Sequence, residues 1–272
     1  MFSMVTQSYG FVYCVGNLMT FCGKIFKRLL YITFMELPPL GVDENLPIIK
    51  KNRLSTGIKD LDIILEGGYL NPGNVLVLGP SCTEKTALAY HFAAAGLKSK
   101  NEHILFITSD LTPSAIKEKA SSIDLDLNGE ISFVDCYSQT IGSPSKEPNV
   151  TSVSGPQALE DMSFNIGDII NKTAGKKLRV IFSSLSTLLL YNPKDSMLKF
   201  LQVVSGRLRN AGATVLFLVE EGVHDKQLLG MVEHMIDEKY IIVDKGGSFE
   251  LDIPGQSLFL PIKLGPSGLM VL

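Results

Sequence analysis

Between Asn74 and Glu220 short apolar runs alternate with longer stretches of helical spacing, and that alternation restricts the fold more than any other feature of the chain. The runs at 74–78, 103–109, 130–136, 178–183 and 213–219 are strand-like, and the segments at 86–98, 113–122, 156–172 and 195–210 carry helical periodicity. Strands that are apolar throughout must be covered on both faces, so the alternation predicts an α/β fold: a mainly parallel sheet with helices on both sides. Upstream, Ile58, Leu61, Ile64 and Leu65 recur at helical spacing, and Gly67-Gly68 ends that helix. Beyond Asp225 the pattern becomes one helix and short strands at 239–244, 247–252, 258–263 and 268–272. This predicts an antiparallel C-terminal extension of the same sheet. The polar stretch 138–154, rich in Ser, Pro and Thr, reads as a mobile surface loop.

The sharpest local signal lies at the first strand–helix junction. Gly79-Pro80-Ser81-Cys82-Thr83-Glu84-Lys85-Thr86 joins the run 74–78 to the next helix. It follows the phosphate-loop pattern G-x-x-x-x-G-K-[ST], in which backbone N–H groups cradle phosphates, the lysine reaches the β/γ-phosphates and the hydroxyl binds Mg²⁺. Gly79, Lys85 and Thr86 match; Glu84 stands where the second glycine belongs. A carboxylate there gives up backbone freedom. At ~4 Å and an effective dielectric of ~20 it would also repel a phosphate by ~4 kcal/mol.

Composition narrows the classes. The chain has 272 residues, 45% hydrophobic, with a net charge of −3. Its first 34 residues hold Lys24, Lys27 and Arg28 and no acid, so the rest carries 22 bases against all 28 acids. That balance argues against nucleic acid as a partner. The four cysteines form no C-x-x-C pair, and the four histidines do not cluster, so free thiols in a reducing cytoplasm are expected and a metal centre of the zinc type is not. Met1 to Gly23 is apolar and uncharged and is followed by the basic cluster Lys24 to Arg28; residues 1–34 read either as a membrane-associated segment or as an upstream extension before a start at Met35. A membrane partner follows only from the first. Residues 35–51 read as a Pro-containing linker and 52–272 as the folded domain.

The run Arg53-Leu54-Ser55-Thr56-Gly57-Ile58, then Leu61-Asp62, Leu65 and Gly67-Gly68, followed by Gly79-Pro80 and Lys85-Thr86, resembles the KaiC-like ATPases of the RecA superfamily. The likeness continues at 104–113, at 179–186, at Val232 to Asp237 and at 265–271. It implies a RecA-like P-loop fold, ATP and Mg²⁺ as cofactors, residues 79–86 as the nucleotide loop with Thr86 on the metal, and a protein partner or homo-oligomer. Two further departures join Glu84. The family's strand-end metal acid is Ser183 here, and of its paired catalytic acids only Asp110 remains, with Leu111 beside it. Phosphate cradle, metal ligand and catalytic base are all altered. The expectation is a catalytically inactivated homologue that acts in regulation or signal transduction by binding. The alternatives are a slow, active ATPase recruiting Glu220 or Glu221, themselves also readable as surface charge, and a DNA recombination accessory protein.

Overall fold

The computed structural model describes residues 52–272, so the expectations for 1–34 and 35–51 lie outside the described residues. An antiparallel pair, β1 (Arg53–Leu54) and β2 (Tyr69–Leu70), brackets the short helix α1 (Lys59–Ile64). Then follow β3 (Gly73–Gly79), α2 (Thr83–Leu97), β4 (Glu102–Thr108), α3 (Pro113–Ser121), β5 (Ile131–Asp135) and β6 (Val150–Ser152). Next are α4 (Leu159–Lys172), β7 (Lys177–Ser183), α5 (Leu185–Tyr191), α6 (Lys194–Asn210), β8 (Thr214–Glu220) and α7 (Lys226–Glu233). The chain closes with β9 (Glu238–Asp244), β10 (Phe249–Ile253), β11 (Leu258–Gly265) and β12 (Gly268–Val271).

Ten strands form one sheet in the order β12-β11-β10-β9-β3-β8-β7-β4-β5-β6. From β9 to β6 every neighbouring pair is parallel, whereas β10, β11 and β12 are added antiparallel. The predicted α/β class and the antiparallel extension both hold, with one correction. The strand expected at 239–244 to begin the antiparallel part instead pairs in parallel with β3. Helix α7 supplies the crossover that returns the chain in the same direction. Four elements were missing from the sequence reading: the short strands β1 and β2, β6 inside the stretch taken as loop, and α5, which follows β7 after a single residue.

Alternation along each strand divides the core. Val75, Val77, Phe106, Ile181, Leu216 and Leu218 pack with α1, α2, α3 and the C-terminal strands. Their neighbours Leu76, Leu78, Leu105, Phe182, Phe217 and Val219 pack with α4 to α7 on the other face. Both faces are apolar because both are covered, which is why the runs show no polar alternation. Among the described residues no helix is long and apolar enough to cross a membrane.

Candidate functional site

The C-terminal ends of β3, β8, β7 and β4 meet at one edge of the sheet, where open α/β sheets hold their ligands. A cleft of about 490 Å³ opens there, and its lining includes Ser81, Cys82, Lys85, Thr86, Tyr90, Asp110, Leu111, Lys119, Ser183 and Glu220.

Gly79 ends β3 at a point where no side chain fits: a Cβ there would lie 2.9 Å from Ile242 Cβ and 3.1 Å from its carbonyl oxygen, on β9. After Pro80 and Ser81 the chain enters α2, with Cys82 as an N-cap residue that makes no side-chain cap bond. The helix begins at Thr83, three residues earlier than predicted, so Glu84 and Lys85 belong to its first turn. Lys85 is buried, and its Nζ donates to the carbonyls of Gly79 (3.2 Å) and Val219 (3.3 Å). Burial lowers the pKa of this ammonium, an effect opposed by Glu220, Cys82 and Asp110.

Glu84 is 8% exposed and is not among the residues lining the cleft. The loop pattern placed this charge against a bound phosphate; in the structure the residue is buried beside the cleft. As the second residue of a helix it has helical backbone, which needs no glycine. Glu84 instead sits against Cys82, whose thiol is pushed up first by burial, with the Glu84 carboxylate adding to the rise and the backbone at Lys85 opposing it. A thiol activated by the helix end is thus not what forms.

The other altered positions do enter the cleft. Ser183, 5% exposed, is the last residue of β7, and Leu111 also lines the opening. Asp110 follows β4 by two residues. Its side chain reaches solvent, yet closely packed protein raises its pKa, with Lys119 opposing and Glu220 reinforcing the rise. The ends of β4 and β7 are tied by Ser109 N–H to the Ser183 carbonyl (3.0 Å) and by Ser109 Oγ to the Ser184 carbonyl (2.9 Å).

Three participants escaped the sequence reading or were left undecided in it. Tyr90 is one helical turn beyond Thr86, so it shares its face; it is 3% exposed, and its hydroxyl has no hydrogen-bond partner. That spacing was a usable signal. Lys119 arrives from α3, which no local pattern reveals. Glu220 lines the cleft, whereas Glu221 is exposed, outside the lining, and donates its backbone N–H to the Gly79 carbonyl (2.8 Å).

The run Arg53 to Asp62 near the start of the described residues has a structural task. Asp62 accepts from Ser55 Oγ (2.5 Å), Thr56 N–H (2.6 Å) and Thr56 Oγ1 (2.7 Å). Arg179 reaches the same segment through its Nη1, which donates to the Ser55 carbonyl (2.6 Å).

A nucleotide with Mg²⁺ suits this donor set. The cleft offers a buried cation and a hydroxyl in the first turn of a helix. Among the described residues no group of three or more His, Cys, Asp or Glu could hold a metal without such a ligand.

Comparison with known proteins identifies the family. The family model described as "ATPase: KaiC" matches residues 54–247. A UPF0273 protein of Methanocaldococcus jannaschii is 25% identical over 194 residues, covering 68% of this chain and 77% of that protein. A circadian clock oscillator protein KaiC of Parasynechococcus marenigrum is 26% identical over 186 residues, 68% of this chain but 35% of that protein. Among solved structures, a KaiC-like protein of Pyrococcus horikoshii superposes with a TM-score of 0.63 at 18% identity, covering 82% of this chain and 100% of its own. At that identity the likeness speaks to fold alone.

Proposed function

The chain belongs to the KaiC family of ATPases, and from that premise we propose that its cleft binds an adenine nucleotide with Mg²⁺ as a regulatory ligand and does not turn it over efficiently. Lys85 serves the β/γ-phosphates and the Thr86 hydroxyl serves Mg²⁺, as the loop pattern requires. Mg²⁺ held through Thr86 would supply positive charge that neutralises the phosphates. The backbone from Ser81 to Glu84 supplies N–H groups at the positive end of α2.

The observation that carries the reading is the composition of the cleft lining. It keeps Lys85 and Thr86, which bind, and puts Ser183 and Leu111 in place of acids, which catalyse. A neutral hydroxyl brings no charge to the metal, and leucine polarises no water. Of the paired acids only the Asp110 carboxylate remains, and it sits at the solvent side of the cleft. Such a protein acts in regulation or signalling through its bound state.

Calorimetry with ADP and ATP, paired with a phosphate-release assay, tests this. We expect nucleotide binding that Lys85→Ala abolishes, with turnover near background. Robust Mg²⁺-dependent turnover lost in Lys85→Ala overturns the inactive reading. It would favour a slow ATPase instead, for which the Glu220 carboxylate in the same lining is the specific support. Absence of binding at millimolar nucleotide overturns both.

A further inference from the structure

A phosphate-loop site holds Mg²⁺ through the loop's hydroxyl and one carboxylate at the end of a neighbouring strand. Mg²⁺ requires few protein ligands, because one or two carboxylates, water and substrate phosphates complete its shell. Replacement of the strand-end acid by Ser183 therefore leaves a single vacancy to fill. The lining contains two carboxylates, Asp110 and Glu220.

Position separates them. Asp110 follows β4, which is separated from β3 by β7 and β8, and its side chain reaches solvent. Glu220 ends β8, the strand paired directly to β3, and stands opposite Gly79 at the start of the loop. Strand parity also selects it. Leu218 and Glu220, two apart, both line the cleft, whereas Val219 packs into the opposite core and Glu221 continues that parity outside the lining. In the β7–β8 ladder Phe182 faces Phe217, so Leu218 comes level with Ser183 and Glu220 reaches past it. The Glu220 backbone is fixed: its N–H donates to Ser186 Oγ (2.8 Å), which also contacts His224 Nε2 (2.9 Å).

We propose that Glu220 supplies the metal carboxylate that Ser183 cannot, so that Thr86 and Glu220 together hold Mg²⁺ against the phosphates. This rests on the nucleotide-binding reading above. It carries a distinctive consequence. Without metal, Glu220 competes with phosphate for the charge of the neighbouring Lys85 ammonium; with metal, the same carboxylate becomes a ligand. Nucleotide affinity in this chain should be unusually dependent on Mg²⁺.

The full chain is titrated calorimetrically with ADP in EDTA and in excess MgCl₂, for the wild type, Glu220→Gln, Glu221→Gln and the double variant Glu220→Gln with Ser183→Asp. In the wild type, Mg²⁺ should tighten binding by about tenfold or more, the scale on which metal sites lose affinity when their supporting groups are removed. Glu220→Gln should abolish that gain while binding metal-free ADP at least as well as the wild type, which also shows that the variant is folded. Glu221→Gln should keep the gain, and the double variant should regain part of it. A full Mg²⁺ gain in Glu220→Gln overturns the proposal, as does wild-type binding indifferent to Mg²⁺, and both leave the nucleotide site standing. No wild-type binding in either condition overturns the site and the proposal together.

Discussion

Glu84 shows how far a single residue can mislead when its backbone context is unknown. As a loop residue it would face phosphate; in the first turn of α2 it is buried and lies outside the cleft lining. A carboxylate in a helix's first turn also gains from the positive end of the macrodipole, the same charge that a bound phosphate would use. Glu84→Gly should therefore act in two directions. Loss of a helix-compatible residue should cost about 1 kcal/mol, since glycine is about 0.8–1 kcal/mol worse than alanine in a helix. Removal of the competing anion should tighten nucleotide binding. Urea unfolding reads the first and ADP calorimetry the second; an affinity equal to wild type would show that the carboxylate at 84 exerts no pull on the phosphate site. The substitution itself was legible in the sequence. Its consequence was not, because Cys82 offers no side-chain cap to mark where the helix begins, and a three-residue error in that start moves residue 84 from loop to helix.

At the level of elements, alternation of apolar runs and helical spacing reported most of the sheet. Strand parity could have reported more, since Leu218 and Glu220 share a face by period alone. What no local pattern could reveal is how elements remote in sequence are fastened together, and Arg179 on β7 is the clearest case. Its guanidinium is 2% exposed, pairs with Glu102 on β4 (Nε to Oε2 2.6 Å), donates to the carbonyls of Ser55 (2.6 Å) and Phe92 (3.1 Å), and stacks 4.5 Å from the Phe92 ring centroid. Gly96 makes room for it: a Cβ there would stand 2.6 Å from Arg179 Cδ. One side chain thereby joins β7, β4, α2 and the segment that Asp62 organises. Breaking a buried ion pair by removing one partner typically costs about 3–5 kcal/mol, because the other charge is stranded. Arg179→Ala should lose about that much in urea melts. Arg179→Lys should recover only part of it, since a point charge cannot reproduce the planar fork. A loss under about 1 kcal/mol in the alanine variant would mean that the network is incidental to the fold.

On the scale of the whole molecule, the nucleotide-loop helix and the C-terminal hairpin are tied together at His91. Its Nε2 accepts the backbone N–H of Leu269 on β12 at 2.8 Å, and Gly268 passes so close that a Cβ would lie 2.3 Å from that nitrogen. An accepting nitrogen must be unprotonated, and burial, followed by Lys98, lowers the pKa of this imidazole against an opposing backbone hydrogen bond at Gly57. A histidine whose folded pKa lies below its unfolded value of about 6.5 binds fewer protons when folded. Its contribution is therefore fully present above pH 6.5 and is lost as pH falls toward the lowered value. His103 and His224 are shifted downward by burial as well and add to the same slope, more weakly because water reaches them; Asp110, shifted upward, titrates with the opposite sign. Urea midpoints should thus decline from pH 7.5 to pH 5.5. His91→Gln, which can still present an acceptor to Leu269 but does not titrate, should show a shallower decline. An equal slope in the two proteins would remove His91 as the cause. Because β11 also contributes Leu264 to the cleft lining, loosening this joint should reach the nucleotide site: ADP affinity should weaken over the same pH interval in the wild type and less in His91→Gln.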